Sequence, residues 1–411
     1  MLQDYEPLEI IVSDDGSTEN NREVVEDASR IDSRIRYVSH GTGIGMRDNF
    51  EFALAQTKPG FVIALGGDDG LLPGGIQGMR DVLRDTRMDL LAWAAPIYTY
   101  PGVRGPSGQL AIYHRRRSKI IDSHEFLCRQ ARNLHYLSDL ESPMFYVKGV
   151  ASTALIDRVR ARSADGRFYS CPTPDGFSGI ALAGETPRYA FSGRPFSIFG
   201  LSPDSQGLAY LSNEARAKES SEAFMQSVSS KPMHRELASQ PYSPLITLMT
   251  VDYLLSARDL PGWGGSFPAI DYRQVLVQGL RELAHGLYGD DRICRELAIL
   301  DQIARAHGLS EFFLKEVRRN RRKRQRDPFV GGGINASALF FDGERYELRN
   351  IVDAAYAAKY LHQAISDLKP NAILDLVVRS LRYRIAGLGK SRPFPPESQW
   401  RTEKTAPSSS G

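Results

Sequence analysis

Two pairs of adjacent aspartates carry the chemistry that this 411-residue chain most plainly offers: Asp14–Asp15 in LEIIVSDDGSTEN and Asp68–Asp69 in ALGGDDGLLP. Each pair closes a short apolar run and is followed by small or turn-forming residues. A carboxylate at the end of a buried strand can accept from a base N–H, and small residues behind it let a ligand lie close to the backbone. Two neighbouring carboxylates on a sharp turn can hold a hard divalent cation, with substrate phosphates completing its shell. The same residues have plainer uses, Asp14 and Asp15 as caps of the next helix and GGDDG as a solvated turn.

The elements around them alternate. Leu8 to Val12 reads as a strand that stops at DDGST, where Ser17 or Thr18 can cap a helix over 20–30. Ile35 to Val38 is the next strand, followed by the glycine-bearing HGTGIG turn and a helix over 47–56 with Phe50, Ala53 and Leu54 at helical spacing. Strands over 61–65 and 90–94 flank a helix over 75–83. This alternation predicts a mainly parallel α/β sheet covered on both faces, and such sheets bind ligands beyond the carboxyl ends of their strands, where both acidic pairs fall.

A helix over 153–162, the irregular stretch FYSCPTPDGFSG, a short helix from Gly176 and a strand through RYAFSGRPFSIFG come next. Beyond about residue 210 the pattern is helix after helix, over 244–257, 272–287, 292–306 and 352–365, and residues rich in Ser, Pro and Lys close the chain. The domains expected are 1–207, an α/β domain; 208–389, mainly helical with a basic helix over 309–326; and 390–411, a disordered tail.

A strand ending in DDGS, then about fifty residues later a strand ending in a DD turn followed by L and P, resembles glycosyltransferase family 2 on its GT-A fold. EIIVSDDGSTEN is similar to that family's EIIVVDDGSTD, and NFEFALAQTKPGFVIALGGDDGLLP to its NxxxAL…LDADDxLLP. The likeness is clear over about residues 3–95 and weaker to about 207. It implies that Asp15 contacts the nucleotide, that Arg47 lies near a nucleotide-contacting arginine, and that Asp69, with Asp68, holds Mg2+ or Mn2+ on a donor diphosphate. Gly66 stands where the family usually has a further Asp. The family also has an earlier strand, like VSVIIPTYN, which leads us to expect a true start upstream of Met1.

An inverting transfer needs a general base for the acceptor hydroxyl, commonly a carboxylate. By the resemblance that place falls in YSCPTPDGFSGIALAGE, where Asp175 begins a helix whose dipole is expected to keep it ionised; Glu185 is the fallback, and Asp175 as a mere N-cap is the plainer reading. Arg194, Ser202 and Ser205 follow in a segment that can face donor phosphate or acceptor. The implied function is a metal-dependent, inverting glycosyltransferase of cell-surface polysaccharide or glycoconjugate synthesis, using a nucleotide-sugar donor (UDP-sugar favoured) and a saccharide or lipid-linked acceptor. The alternative is a degenerate transferase acting as a binding or scaffold protein. A nucleotidyltransferase shares the sheet and metal logic but carries a glycine-rich, Lys- or Arg-bearing N-terminal loop.

Composition narrows the remaining classes. With 42% hydrophobic and 25% charged residues the chain is globular in type. Cys128, Cys171 and Cys294 are widely spaced with no metal-ligand pattern, so reduced thiols in the cytoplasm are expected. No signal peptide or apolar run of membrane-spanning length is legible, and HExxH, GxSxG and P-loop motifs are missing. The net charge of +3 conceals KEVRRNRRKRQR (315–326), which alone carries +7 and leaves −4 for the remainder. An amphipathic start followed by Arg and Lys suits peripheral contact with an anionic membrane at the inner face of the cell membrane; the aromatic interleaving of single-strand nucleic-acid binders is lacking, so no nucleic acid is expected. A solvated helix face is the plainer use.

Overall fold

The computed structural model describes Gln3 and residues 7–103, 107–114, 116–203, 205, 207, 210, 215–228, 231–262, 267–285, 288–322, 332–364, 374, 377, 378, 380, 381 and 393–401. The chain divides into two compact units. One holds residues 1–203, 253–268 and 328–383, and the other 204–252, 269–327 and 384–411.

The first unit is α/β, as expected. It opens with β1 (Ile10–Asp14), α1 (Asn21–Ile31), β2 (Ile35–Ser39), α2 (Met46–Ala55), β3 (Phe61–Val62), β4 (Gly70–Leu71), α3 (Gly75–Thr86) and β5 (Leu90–Trp93). Then follow β6 (Ile97–Thr99), β7 (Gln109–Tyr113), β8 (Lys119–Asp122), α4 (Ser123–Asn133), β9 (Gly149–Ser152), α5 (Thr153–Arg162), α6 (Pro174–Gly184), β10 (Arg188–Ser192) and β11 (Ser197–Leu201). Neither Ser17 nor Thr18 caps α1; Asn20 occupies that place.

The ladders are mixed rather than mainly parallel. Among the described residues β1–β2, β5–β10 and β6–β11 pair in parallel, and the other ladders are antiparallel. Strand–helix alternation lasts only to β5; the short β6–β7 connection, with no helix to cross over, forces an antiparallel hairpin. With two later strands, β12 (Gly333–Ile334) and β13 (Ala338–Asp342), the resulting sheets run β3-β9-β5-β10-β8 and β12-β13-β7-β6-β11-β4, with β1-β2 as a third. RYAFSGRPFSIFG, expected as one strand, breaks at Gly193–Pro195, and its halves join different sheets.

β5 shows why the core sits where it does. Leu90, Leu91, Ala92 and Trp93 are all fully buried, as a strand covered on both faces requires. The Trp93 indole packs edge-on against Phe196 and donates to Ser197 Oγ at 2.7 Å, tying the two larger sheets together.

The expected boundary at 207 nearly coincides with the end of the first segment, but the helical character assigned to 208–389 does not hold throughout. β12 (Gly333–Ile334) and β13 (Ala338–Asp342) extend the six-stranded sheet through β7, and Ala354, Ala355 and Ala358 of a helix over Ile351–Ala364 bury against Leu72, Tyr98 and Ile198. The hydrophobic face left by β4, β6 and β11 is completed from far along the chain.

The second unit is helical: α7 (Ala215–Ser227), the 246–252 portion of α8 (Ile246–Arg258), α9 (Tyr272–Leu283), α10 (Asp290–Ala306) and α11 (Ser310–Arg319); the helix over Ile351–Ala364 is α12. The basic helix is shorter than expected. α11 ends at Arg319, and the Arg322 side chain is buried in an ion pair with Asp290, which gives it a packing role that a solvated basic face would not. Residues 323–326 lie outside the described residues. So do most of 390–411, yet within the expected tail Phe394 and Trp400 are buried, the latter against Phe313. No helix among the described residues is long and apolar enough to cross a membrane.

Asp252 gives this unit a pH signature. It is buried and accepts from His234 N at 2.7 Å, yet burial pushes its carboxyl from 3.8 up to about 6. A carboxyl raised on folding contributes stability that is fully present below the unfolded value and is lost as pH rises through the folded one. Relative to Asp252→Asn, the parent should therefore lose about 2 kcal/mol between pH 4 and pH 7. Denaturant melts of both proteins across that window check this; a pH-independent difference would remove Asp252 as the cause.

Candidate active site

The first acidic pair organises a loop. Asp14, the last residue of β1, accepts from Ser17 N at 3.0 Å and from the Tyr37 hydroxyl at 2.8 Å, and these bonds, Ser17 foremost, hold its carboxyl below the usual range. Asp15 accepts from Ile44 N at 2.7 Å and Gly45 N at 3.1 Å, so both its oxygens are engaged by the HGTGIG turn. Gly16 lies at φ +78°, and a Cβ there would come within 2.6 Å of Gly43 N. The pair thus docks the turn that starts α2, and each oxygen keeps a second lone pair for a ligand N–H.

α2 presents Arg47 in its first turn. Ser13 on β1 donates to Asn49 at 2.6 Å, and Glu51 accepts from the N–H groups of Phe168 and Tyr169, both at 3.0 Å. Arg47 Nε donates to Asp48 at 2.7 Å, and Arg167 donates to the same oxygen at 2.8 Å. Arg47 Nη1 is buried without a hydrogen-bond partner among the described residues. A buried guanidinium N–H left unpaired costs free energy, and an anionic oxygen would remove that cost.

The second pair sits where β4 meets β11. Asp69 Oδ2 accepts from Gly66 N at 2.7 Å and Oδ1 from Gly200 N at 2.8 Å, while Asp68 Oδ2 accepts from Ser202 Oγ at 2.8 Å. Burial pushes the Asp69 carboxyl up to about 6; the amides of Gly200 and Gly66 and the Tyr146 hydroxyl pull the other way, and the Asp68 charge adds to the rise.

Tyr146 is the residue that sequence reasoning missed. Val147, at φ +62°, makes a tight turn in which Lys148 N donates to Tyr146 O at 2.7 Å, and Val147 N donates to Ala64 O at 2.9 Å. For a β-branched residue that φ is strained. The turn aims the Tyr146 ring between Phe50 and Phe199, with its hydroxyl bonded to Asp69. Burial first, then Asp69, Asp68 and Asp175, raise this phenol far above its usual range. A Cβ at Gly66 would lie 2.4 Å from that hydroxyl. Tyr146 therefore fills the space a side chain at Gly66 would need. Nothing in the local pattern of SPMFYVKGV marks it.

Asp175 lies in the first turn of α6. It accepts from the Tyr136 hydroxyl at 2.8 Å and the Tyr253 hydroxyl at 3.4 Å. The helix N-terminus does not lower its pKa: burial outweighs the Tyr136, Gly176 and Tyr253 hydrogen bonds and raises it. Gly176 admits no side chain, since a Cβ there would fall 2.4 Å from the Tyr253 ring. Glu185 does not serve as a substitute. It is the C-cap of α6, roughly 15 Å along the helix from Asp175, and is buried in an ion pair with Arg162. Arg194 lies in a cavity beside the start of β11, away from the Gly200 end that bonds Asp69.

The donor set fits a metal of a particular kind. No group of three or more His, Cys, Asp and Glu poised for a cation occurs among the described residues. Asp68 and Asp69 supply two carboxylates, enough for a Mg2+ or Mn2+ that keeps phosphate oxygens and waters in its shell. A dedicated all-protein cage is not what these residues build.

Residues 1–135 match the model for glycosyl transferase family 2. Over 75 residues the chain is 39% identical to the GalNAc(5)-diNAcBac-PP-undecaprenol beta-1,3-glucosyltransferase of Campylobacter jejuni subsp. jejuni serotype O:2; the match covers 18% of this chain and spans about a quarter of that relative (24%). Among solved structures, S. aureus TarS 1-349 in complex with UDP-GlcNAc aligns over 77% of this chain and 85% of its own, at 12% identity and a TM-score of 0.40. The same protein in complex with UDP aligns over 77% and 82%, at 14% identity and a TM-score of 0.37.

The Gly66–Tyr146 contact predicts a coupled pair of substitutions. Gly66→Ala should destabilise the protein by about 1–3 kcal/mol by overpacking, and Tyr146→Phe, which removes the opposing oxygen, should restore part of that loss. Melts of the four proteins of the double-mutant cycle measure the coupling, and strictly additive effects would place the hydroxyl elsewhere.

Proposed function

We propose that the protein is an inverting, metal-dependent glycosyltransferase that moves a sugar from a nucleoside-diphosphate donor, UDP-sugar favoured, to an acceptor hydroxyl. The observation that carries this reading is the acidic corner itself, with Asp69 held by Gly66 N and Gly200 N and Asp68 beside it on Ser202 Oγ. The match of residues 1–135 to the model for glycosyl transferase family 2 supports the donor half. Asp175 lies beyond those residues, and its assignment rests on the resemblance together with its place in the first turn of α6.

In this reading Asp15 and the turn it holds line the nucleotide, and the unpaired Arg47 Nη1 meets a phosphate oxygen. Asp69, with Asp68, holds Mg2+ or Mn2+, which when bound neutralises charge on the departing nucleoside diphosphate. Asp175 removes the acceptor proton as the hydroxyl oxygen attacks the anomeric carbon opposite the breaking bond to the diphosphate. A carboxyl raised by burial is a stronger base once ionised, at the cost of a higher acidic limit on the rate. The relative from Campylobacter, named for a polyprenol-diphosphate oligosaccharide, favours a lipid-linked acceptor and a place in cell-surface glycan synthesis. Peripheral contact with an anionic membrane, at the cytoplasmic face, would use residues 315–326, of which Arg318, Arg319 and Arg321 are exposed.

Calorimetric titration with UDP, with and without Mn2+, tests the donor site. Binding should require the metal and be lost in Asp68→Asn and Asp69→Asn variants that keep the parent melting temperature. Asp175→Asn should retain UDP binding while kcat falls about 100- to 10,000-fold. In the parent, kcat/KM should decline as pH drops through the raised Asp175 pKa. A folded chain that binds no UDP would instead be the binding or scaffold protein of the alternative reading.

A further inference from the structure

At the opposite end of the β4–β11 ladder from Asp69 lies a cavity of about 360 Å3. Its basic lining comes from two separate elements: Arg194 precedes β11, and Lys359 and His362 are one turn apart on the same face of α12. Pro73, Pro195 and Phe196 supply apolar wall, and none of the lining residues is acidic. Neither Arg194 nor Lys359 forms an ion pair among the described residues. In a domain whose other candidate site is built from carboxylates, this is a local concentration of positive charge.

The N-terminus of α3 also borders the cavity, but its first amides are already engaged. Gly75 N donates to Leu72 O at 2.8 Å and Ile76 N to the Gln3 side chain at 3.1 Å. The attraction for an anion therefore comes from the side chains. Leu72 N pairs with Phe196 O beside the cavity, while Gly200 N reaches Asp69. Four residues of β11 separate these points, roughly 13 Å, too far for one diphosphate to touch both.

We propose that this cavity is a second, cationic site that binds a phosphate or diphosphate group, separate from the acidic corner. An arginine fork with a lysine point charge matches the several oxygens and the multiple charge of such a group. The volume lies within the range of small-molecule pockets, leaving room for what the phosphate is attached to. The same chemistry has two sources, a soluble phosphate compound or a lipid-borne phosphate. The proposal does not depend on the donor site being active.

The experiment is calorimetric titration of the full chain with inorganic pyrophosphate in EDTA, which silences any site that needs a divalent cation. Vesicles of phosphatidylcholine with and without phosphatidic acid, scored by co-sedimentation, form the second arm. At least one of the two probes should bind, more weakly as salt is raised. Arg194→Gln and Lys359→Gln, with melting temperatures kept, should each weaken that binding about tenfold, as loss of a charge-assisted contact implies. Asp68→Asn should leave it unchanged. Pyrophosphate binding without vesicle binding assigns a soluble ligand, and the reverse assigns a lipid. Absence of both, or binding indifferent to Arg194 and Lys359, overturns the proposal.

Discussion

Burying the Asp69 carboxylate strips it of water, and two backbone N–H groups and one phenol stand in for the lost hydration. Gly66 N and Gly200 N come from segments far apart in sequence, so the acid cannot be held until β11 has paired with β4. Gly200 must be glycine for that approach, because a Cβ there would fall 1.7 Å from the Asp68 carbonyl oxygen. Replacement by backbone donors is incomplete, which is why the carboxyl still sits at about 6. An unusually proton-prone carboxylate beside a second one is the electrostatic state that an arriving cation would relieve.

Tyr146 belongs to the same constraint. Its hydroxyl occupies the space over Gly66 that would otherwise hold solvent or another side chain, and it donates to an acid that needs donors. The strain of Val147 at φ +62° is the local cost of aiming the ring there. The two hydrogen bonds of that turn, to Ala64 and within 146–148, hold it to the strand that ends in the acidic corner.

The acidic corners were legible because strand ends, glycines and paired aspartates leave a local pattern with a period and a stop. The helices over 46–55, 75–86 and 153–162 were legible for a similar reason, their apolar spacing being a property of a few consecutive residues. Tyr146 was not, since its role comes from a turn conformation and a distant sheet contact that no window contains. The raised pKa of Asp175 was not legible for a related reason. The helix dipole is visible in sequence, but the burial that opposes it, and the hydroxyls of Tyr136 and Tyr253 that partly offset that burial from 39 and 78 residues away, are not. The hairpin that mixes the sheet and the strands over 333–342 that extend it are likewise long-range pairings, for which a strand-like run carries no direction.

The break at Gly193–Arg194–Pro195 shows how one such pairing has consequences for chemistry. A continuous strand over 188–201 would keep all its residues in one sheet. Proline cannot donate to a ladder, and a Cβ at Gly193 would come within 2.0 Å of Arg116 O, so the chain leaves the first sheet here and re-enters the second. Arg194 is thereby lifted out of both ladders into a cavity, while four residues further into β11 from Phe196 the backbone of Gly200 closes on Asp69. One short segment so supports a carboxylate site at one end and a cationic one at the other. Because the register of β11 is set against both β4 and β6, a shift that served one end would displace the other.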